Sequence, residues 1–247
     1  DAVEAVARAY VNAGSQVILT NTFGANRIVL TRHELADKTE AINRAGVEIS
    51  RRAARGRAHV FASIGPACNL MMLSDDVDEK AVHEVYVQQA QALRSAGADA
   101  LVIETMADVA EATIAVSAAK STGLPVIACM VFDSGKEKDR TMTGVTPEDA
   151  AAALQQAGAD VIGANCGQSI YAYVKLCARL HAATSLPIWA KPNAGRAQVE
   201  GEATVFKFAP AGFAEFAPQL LAAGASFIGG CCGTSPAFIE AIRARVR

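Results

Sequence analysis

Aromatic residues are scarce in this chain. They make up 6% of its 247 residues, and Trp189 is the one tryptophan. A cage of rings is what usually holds a quaternary ammonium group, so that ligand class is disfavoured. Charge imbalance is missing too. The formal net charge is −2 and no basic run occurs, which argues against nucleic acid or an anionic membrane surface as partner. No apolar stretch approaches the roughly 20 residues that span a bilayer. The opening stretch, "DAVEAVARAY", shows no signal-peptide pattern. Glycine-rich phosphate-binding patterns are absent, so a nucleotide cofactor is not expected. Histidine is limited to His33, His59, His83 and His181. None has the spacing of a paired metal ligand, and all four read as surface or structural residues.

What the chain does have is apolar mass and cysteine. Apolar residues make up 51% of it, enough to bury a sizeable core. The six cysteines are Cys68, Cys129, Cys166, Cys177, Cys231 and Cys232. A chain this large and apolar does not need disulfide staples, and adjacent cysteines pair badly with each other. The pattern points to a reducing, cytoplasmic setting, with free thiols or a metal site.

The sequence repeats one grammar weakly. "AGSQVILT" (13–20), "AGADALVIET" (96–105), "AGADVIGAN" (157–165) and "AGASFIGG" (223–230) each leave a helical pattern, turn on glycine and enter a short apolar run. A second grammar, "GLPVIACMVF" and "SLPIWAKPN", places proline at the strand entrance. Together with "AHVFASIGP" they predict strands near 16–22, 59–64, 100–105, 125–132, 160–165, 187–191 and 226–230. Helical patterns alternate with them, several opening on a capping residue and proline or acids. Such alternation implies a parallel sheet of βαβ units. No linker divides residues 1–247, so one domain is expected. An open α/β sheet would fit the count. A (β/α)₈ TIM-type barrel with seven strands and eight helices in this chain, its first strand outside it, fits better, because the two grammars alternate as they would around a closed ring.

In a barrel, chemistry sits at the C-terminal ends of the strands. Cys166 falls at one such end, in "GANCG", and Cys231 and Cys232 at another, in "GGCCGT". Neighbouring strand residues point to opposite faces. Two tandem thiols can reach one ion only if the strand breaks, and the glycines at 229, 230 and 233 permit that break. Three convergent thiolates suit zinc with one open position. The plainer alternative is ordinary buried cysteine. Cys129, inside a strand, and Cys177, inside a helix, read that way. Cys68 stands at a strand end without the glycine setting.

"TNTFGAN", "GANCG" and "GGCCGTSP" together resemble the homocysteine S-methyltransferase family, over the chain from about residue 3 onward. The resemblance implies a (β/α)₈ barrel, zinc bound by Cys166, Cys231 and Cys232, and methyl transfer to the homocysteine thiol, giving methionine. It implies that Glu104 holds the substrate ammonium group. Asn21, Asn165, Ser63 and Gly65 are candidate substrate or ligand-orienting residues, and each is equally readable as a turn residue. Asn193 is a weaker candidate, and Asp108 reads as a helix cap. Members usually open with a strand and a "DGAMGT"-like loop, which is expected to lie outside this chain. "GANCGQS" and "LPIWAKPNAG" look like the corrinoid-linked branch, in which methylcobalamin and methyltetrahydrofolate serve as donor system. The chain carries no D-x-H-x-x-G pattern, so a cobalamin would come from a partner domain or protein. S-methylmethionine or betaine are the alternative donors. A non-catalytic zinc-holding barrel and a zinc-free barrel lyase are rival readings. A barrel gap would also offer a surface for homo-oligomer formation.

Overall fold

Helix and strand alternate from the first residues. The structure, a computed structural model, describes residues 1–67, 78–196, 198–201 and 203–246. Helix α1 (Ala2–Ala13) ends at Gly14, whose left-handed φ of 99° is cheap only without a Cβ. The chain then enters β1 (Val17–Leu19), α2 (Arg27–Thr31), a 3₁₀ turn (Ala36–Lys38) and α3 (Thr39–Ala54). There follow β2 (His59–Ile64), α4 (Glu79–Ser95), β3 (Ala100–Met106), α5 (Val109–Lys120), β4 (Val126–Met130) and α6 (Pro147–Gln156). The C-terminal part runs β5 (Val161–Ser169), α7 (Ile170–Ala183), β6 (Ile188–Asn193), β7 (Gln198–Glu200), β8 (Ala203–Val205), α8 (Pro210–Ala214), α9 (Ala217–Ala222), β9 (Ala225–Ile228) and α10 (Pro236–Arg245).

Several helix starts follow directly from local chemistry. Asp78 accepts from the Lys80 N–H, Asp108 from the Ala110 N–H, and Thr146 from the Asp149 N–H. Each fills an otherwise orphaned donor of the first turn. Ser235 stands at the same position of α10, but its side chain caps nothing. There Pro236 at the first helical position does the work of starting the helix.

The seven main strands form one parallel sheet in the order β1-β2-β3-β4-β5-β6-β9. The sheet is curled. Phe61 on β2 and Trp189 on β6 have three strands between them in the sheet order, yet their rings stack at 6.1 Å. Trp189 in turn meets Phe227 of β9 at 5.0 Å. Alternation along each strand therefore makes two cores. The outer face, with Val60, Ile64, Leu101, Ile103, Ile162 and Ile188, packs on the helices. The inner face holds Ala100, Val102, Ile127, Cys129, Val161 and Trp189. Both faces are apolar, which is why these strands read as continuous hydrophobic runs.

The expected strands all appear; β3, β5 and β6 run past the anticipated ends to Met106, Ser169 and Asn193, while β1, β4 and β9 stop short of theirs at Leu19, Met130 and Ile228. Short α2 and α8 add to the eight expected helical segments, and the β7–β8 hairpin was not anticipated. Edge strands β1 and β9 are not paired with each other. Helices α1 and α10 pack together across that seam, and the Tyr10 hydroxyl donates to the Thr234 carbonyl at 3.2 Å. Among the described residues no helix is long and apolar enough to cross a membrane.

Candidate metal and substrate site

The strand ends bring three thiols together. Among the described residues, Cys166, Cys231 and Cys232 are the group of potential ligands that converges, with all three Sγ atoms within 4.8 Å of one another. Cys166 and Cys232 are 3.7 Å apart. Tetrahedral zinc with Zn–S near 2.3 Å places sulfurs about 3.8 Å apart, so the Cys166–Cys232 separation fits that ion. The five cysteines among the described residues are free thiols.

Two breaks in regular structure make the convergence. Strand β5 shifts register between Asn165 and Ser169, and Cys166 lies there with φ 63°. A left-handed cysteine is strained. The Tyr173 hydroxyl holds it by donating to the Cys166 carbonyl at 2.7 Å. The second break follows β9. The Cys231 N–H donates to the Pro192 carbonyl at 2.8 Å, and the Cys232 N–H to Asn193 Oδ1 at 3.1 Å. The backbone thus leaves the pleat while the end of β6 holds it. Gly233 takes φ 78°, and a Cβ on Gly230 would come within 2.5 Å of the Thr234 side chain. Both positions need glycine for the tandem thiols to share one side.

The sulfurs differ electrostatically. The Cys231 thiol donates toward Cys166, which lowers Cys166 to about 7 against the opposing effect of burial. Cys231 is pushed up, first by that shared hydrogen bond and then by burial. Burial also raises Cys232. Cys129 and Cys177 lie in the core, and burial pushes the Cys177 thiol up to about 12.

Beside the thiols lies a buried polar network. Glu104 is 7% exposed. Its Oε2 is 2.7 Å from Lys191 Nζ, and its Oε1 accepts from the Ser63 hydroxyl. Burial pulls the Lys191 ammonium down, and the Glu104 carboxylate more than offsets this, so it stays above its ordinary range. Asn165 Oδ1 accepts from the Thr105 N–H at 2.7 Å, and Asn165 Nδ2 donates to Thr105 Oγ1 at 2.7 Å. The same Nδ2 reaches Cys231 Sγ at 3.8 Å. Thr105 has φ 62°, costly for a β-branched residue. Asn165 holds it there.

Of the other anticipated residues, Ser63 is buried with its N–H on Thr20 Oγ1 at 3.1 Å. Gly65 is buried under the Phe23 ring, where a Cβ would come within 2.6 Å of ring carbons. Asn21 is exposed, apart from this network. Asn193 serves the Cys232 N–H, and Asp108 caps α5. Cys68 lies outside the described residues. Lys191 and Thr105 were not singled out from the sequence. For Lys191 a signal existed, since it shares the inner face of β6 with Trp189, and a lysine facing inward needs a partner.

Comparison with known proteins gives the same picture. The sequence profile described as homocysteine S-methyltransferase matches residues 1–246. A methionine synthase of Mycobacterium leprae is 28% identical over 256 residues, which covers all of this chain and 21% of that protein. The mouse S-methylmethionine–homocysteine S-methyltransferase BHMT2 is 28% identical over 250 residues, covering 94% of this chain and 66% of that protein. The chain thus spans about a fifth of the curated methionine synthase it matches. The metallated form of the homocysteine methyltransferase MmuM from Escherichia coli superposes with a TM-score of 0.80 at 25% identity, covering 98% of this chain and 83% of that one. A curled parallel sheet, three thiols at its strand ends and a profile match from end to end coincide, and the chain belongs to the homocysteine S-methyltransferase family.

Proposed function

We propose that this chain methylates the thiol of homocysteine, giving methionine, at a zinc ion held by Cys166, Cys231 and Cys232. The observation that carries the reading is the convergence of three sulfurs within 4.8 Å from two separated strand ends. The donor set supports zinc, because soft thiolates suit it and the 3.7 Å between Cys166 and Cys232 matches two sulfurs of a tetrahedral site. When bound, that zinc would present the substrate sulfur as thiolate at neutral pH.

The chain's own residues supply position. Asn165 aims a donor at Cys231 Sγ and steadies that sulfur as charge gathers around it. Glu104 offers a buried carboxylate to the substrate ammonium group. Strained turns at Cys166 and Thr105 keep both groups at the mouth. A sulfur held there forms the new S–C bond with its own electron pair, while the donor keeps the pair of the bond that breaks. The described chain is proposed to work as one homocysteine-binding barrel unit in the cytoplasm.

For the donor, the resemblance of "GANCGQS" and "LPIWAKPNAG" to the corrinoid-linked branch, beside the match of the whole chain to a methionine synthase, supports a methyl-corrinoid, with cobalamin and methyltetrahydrofolate supplied by a partner domain or protein. The likeness to BHMT2, an S-methylmethionine–homocysteine S-methyltransferase, favours S-methylmethionine as the second reading. Zinc-loaded protein with L-homocysteine should form methionine from methylcobalamin, read by mass spectrometry. Methionine from S-methylmethionine alone would transfer the assignment to the second donor. Cys232→Ala should lose both zinc and turnover, and an active zinc-free variant would refute the mechanism.

A further inference from the structure

An amino acid is a zwitterion, and one carboxylate reads only one end of it. Lys191 is the cation placed to read the other. Its stem rises from β6 in register with Asn165, one residue from Cys166. On its far side lies Gly229, where a Cβ would come within 3.3 Å of Lys191 Cγ, so the missing side chain gives the lysine its passage. Lys191 therefore leaves the sheet between the two strand ends that carry the thiols. Its Nζ crosses the mouth to Glu104 Oε2 on β3 at 2.7 Å.

The two side chains are 13% and 9% exposed. Glu104 is the hydrogen-bond partner of Lys191 among the described residues, which leaves ammonium donors to spare. Glu104 keeps acceptor capacity as well, because each carboxylate oxygen has two lone-pair sites. A buried ion pair is weak evidence for stability, since apolar residues of like volume often serve as well. Its place at the mouth thus asks for a functional reason.

With the ammonium group already given to Glu104, we propose that Lys191 binds the substrate carboxylate, so that the pair admits α-amino-acid thiols and rejects thiols lacking either end. The inference rests on the reading that homocysteine docks with its sulfur at the three cysteines. The two residues bond each other across the mouth, and with substrate bound each turns to the opposite end of it.

The test is calorimetric binding to the zinc-loaded chain of L-homocysteine, 3-aminopropane-1-thiol, which lacks the carboxylate, and 4-sulfanylbutanoate, which lacks the amine. The parent should prefer homocysteine to either analogue by roughly 10- to 100-fold, the range for a hydrogen bond to a charged group. Lys191→Met should bind homocysteine and 3-aminopropane-1-thiol alike, and Lys191→Arg should retain the preference. Should Lys191→Met fail to fold around an unpaired Glu104, the charge-free double variant Glu104→Gln/Lys191→Met should bind all three thiols alike. A Lys191→Met protein, or failing that the double variant, that keeps the preference or binds homocysteine more tightly overturns the assignment of Lys191 alone. A parent that holds zinc yet binds no homocysteine overturns the functional reading and this proposal with it.

Discussion

The three clustered thiols are unequal, and the inequality has a measurable consequence. Cys166, lowered to about 7 by the Cys231 thiol, is the first to ionise. Iodoacetamide labelling of the metal-free protein should therefore rise with a midpoint near pH 7 at Cys166. Cys129 and Cys177, buried and raised, should stay unlabelled until the protein unfolds. Peptide mapping by mass spectrometry checks both. Asn165 makes a second prediction. It satisfies two groups of a strained Thr105, so Asn165→Ala should cost about 1–3 kcal/mol in urea denaturation. It should also weaken zinc binding, read by chelator competition, because Cys231 loses its donor. The cysteines were legible because a tandem pair among glycines has few structural uses. Lys191 and Thr105 were not, because their roles depend on partners across the barrel. Lys191 meets a residue 87 positions away, and Thr105 one 60 positions away.

At the scale of elements, local chemistry explains most of what could be read. Caps at Asp78, Asp108 and Thr146 mark helix starts because a side-chain oxygen meets an orphaned N–H within three residues. Asp108→Ala should cost about 1 kcal/mol by that route. The β7–β8 hairpin escaped notice because its strands are three residues each, too short for alternation to stand out. An ion pair between elements makes a pH prediction. Arg179 on α7 bonds both Glu148 on α6 and Asp139, and its hydrogen bond holds Glu148 down at about 2, from 4.5. A lowered carboxylate contributes stability above its unfolded value and loses it as pH falls toward its folded one. The Glu148→Gln variant should thus be less stable than the parent at pH 7, by no more than about 1 kcal/mol for so exposed a pair. That gap should shrink between pH 4.5 and 2 in denaturation curves.

The whole molecule adds what no element carries alone. The parallel order follows from alternating strands and helices, and the sequence displayed that alternation plainly. Curling places Phe61, Trp189 and Phe227 in one inner core and brings the end of β3 toward those of β5 and β6. Only the curl lets Glu104 meet Lys191 and Asn165 meet Thr105. Trp189→Ala should therefore lower stability by about 3–5 kcal/mol and loosen the site above it, seen as weaker zinc retention.

The central claim is that sulfurs from the ends of β5 and β9 share one ion and leave room for a fourth. X-ray absorption at the zinc edge tests it most directly. One zinc per chain with three sulfur neighbours, rising to four when homocysteine is added, is the predicted result. A zinc site that ignores homocysteine, or one that survives replacement of Cys166, would contradict it.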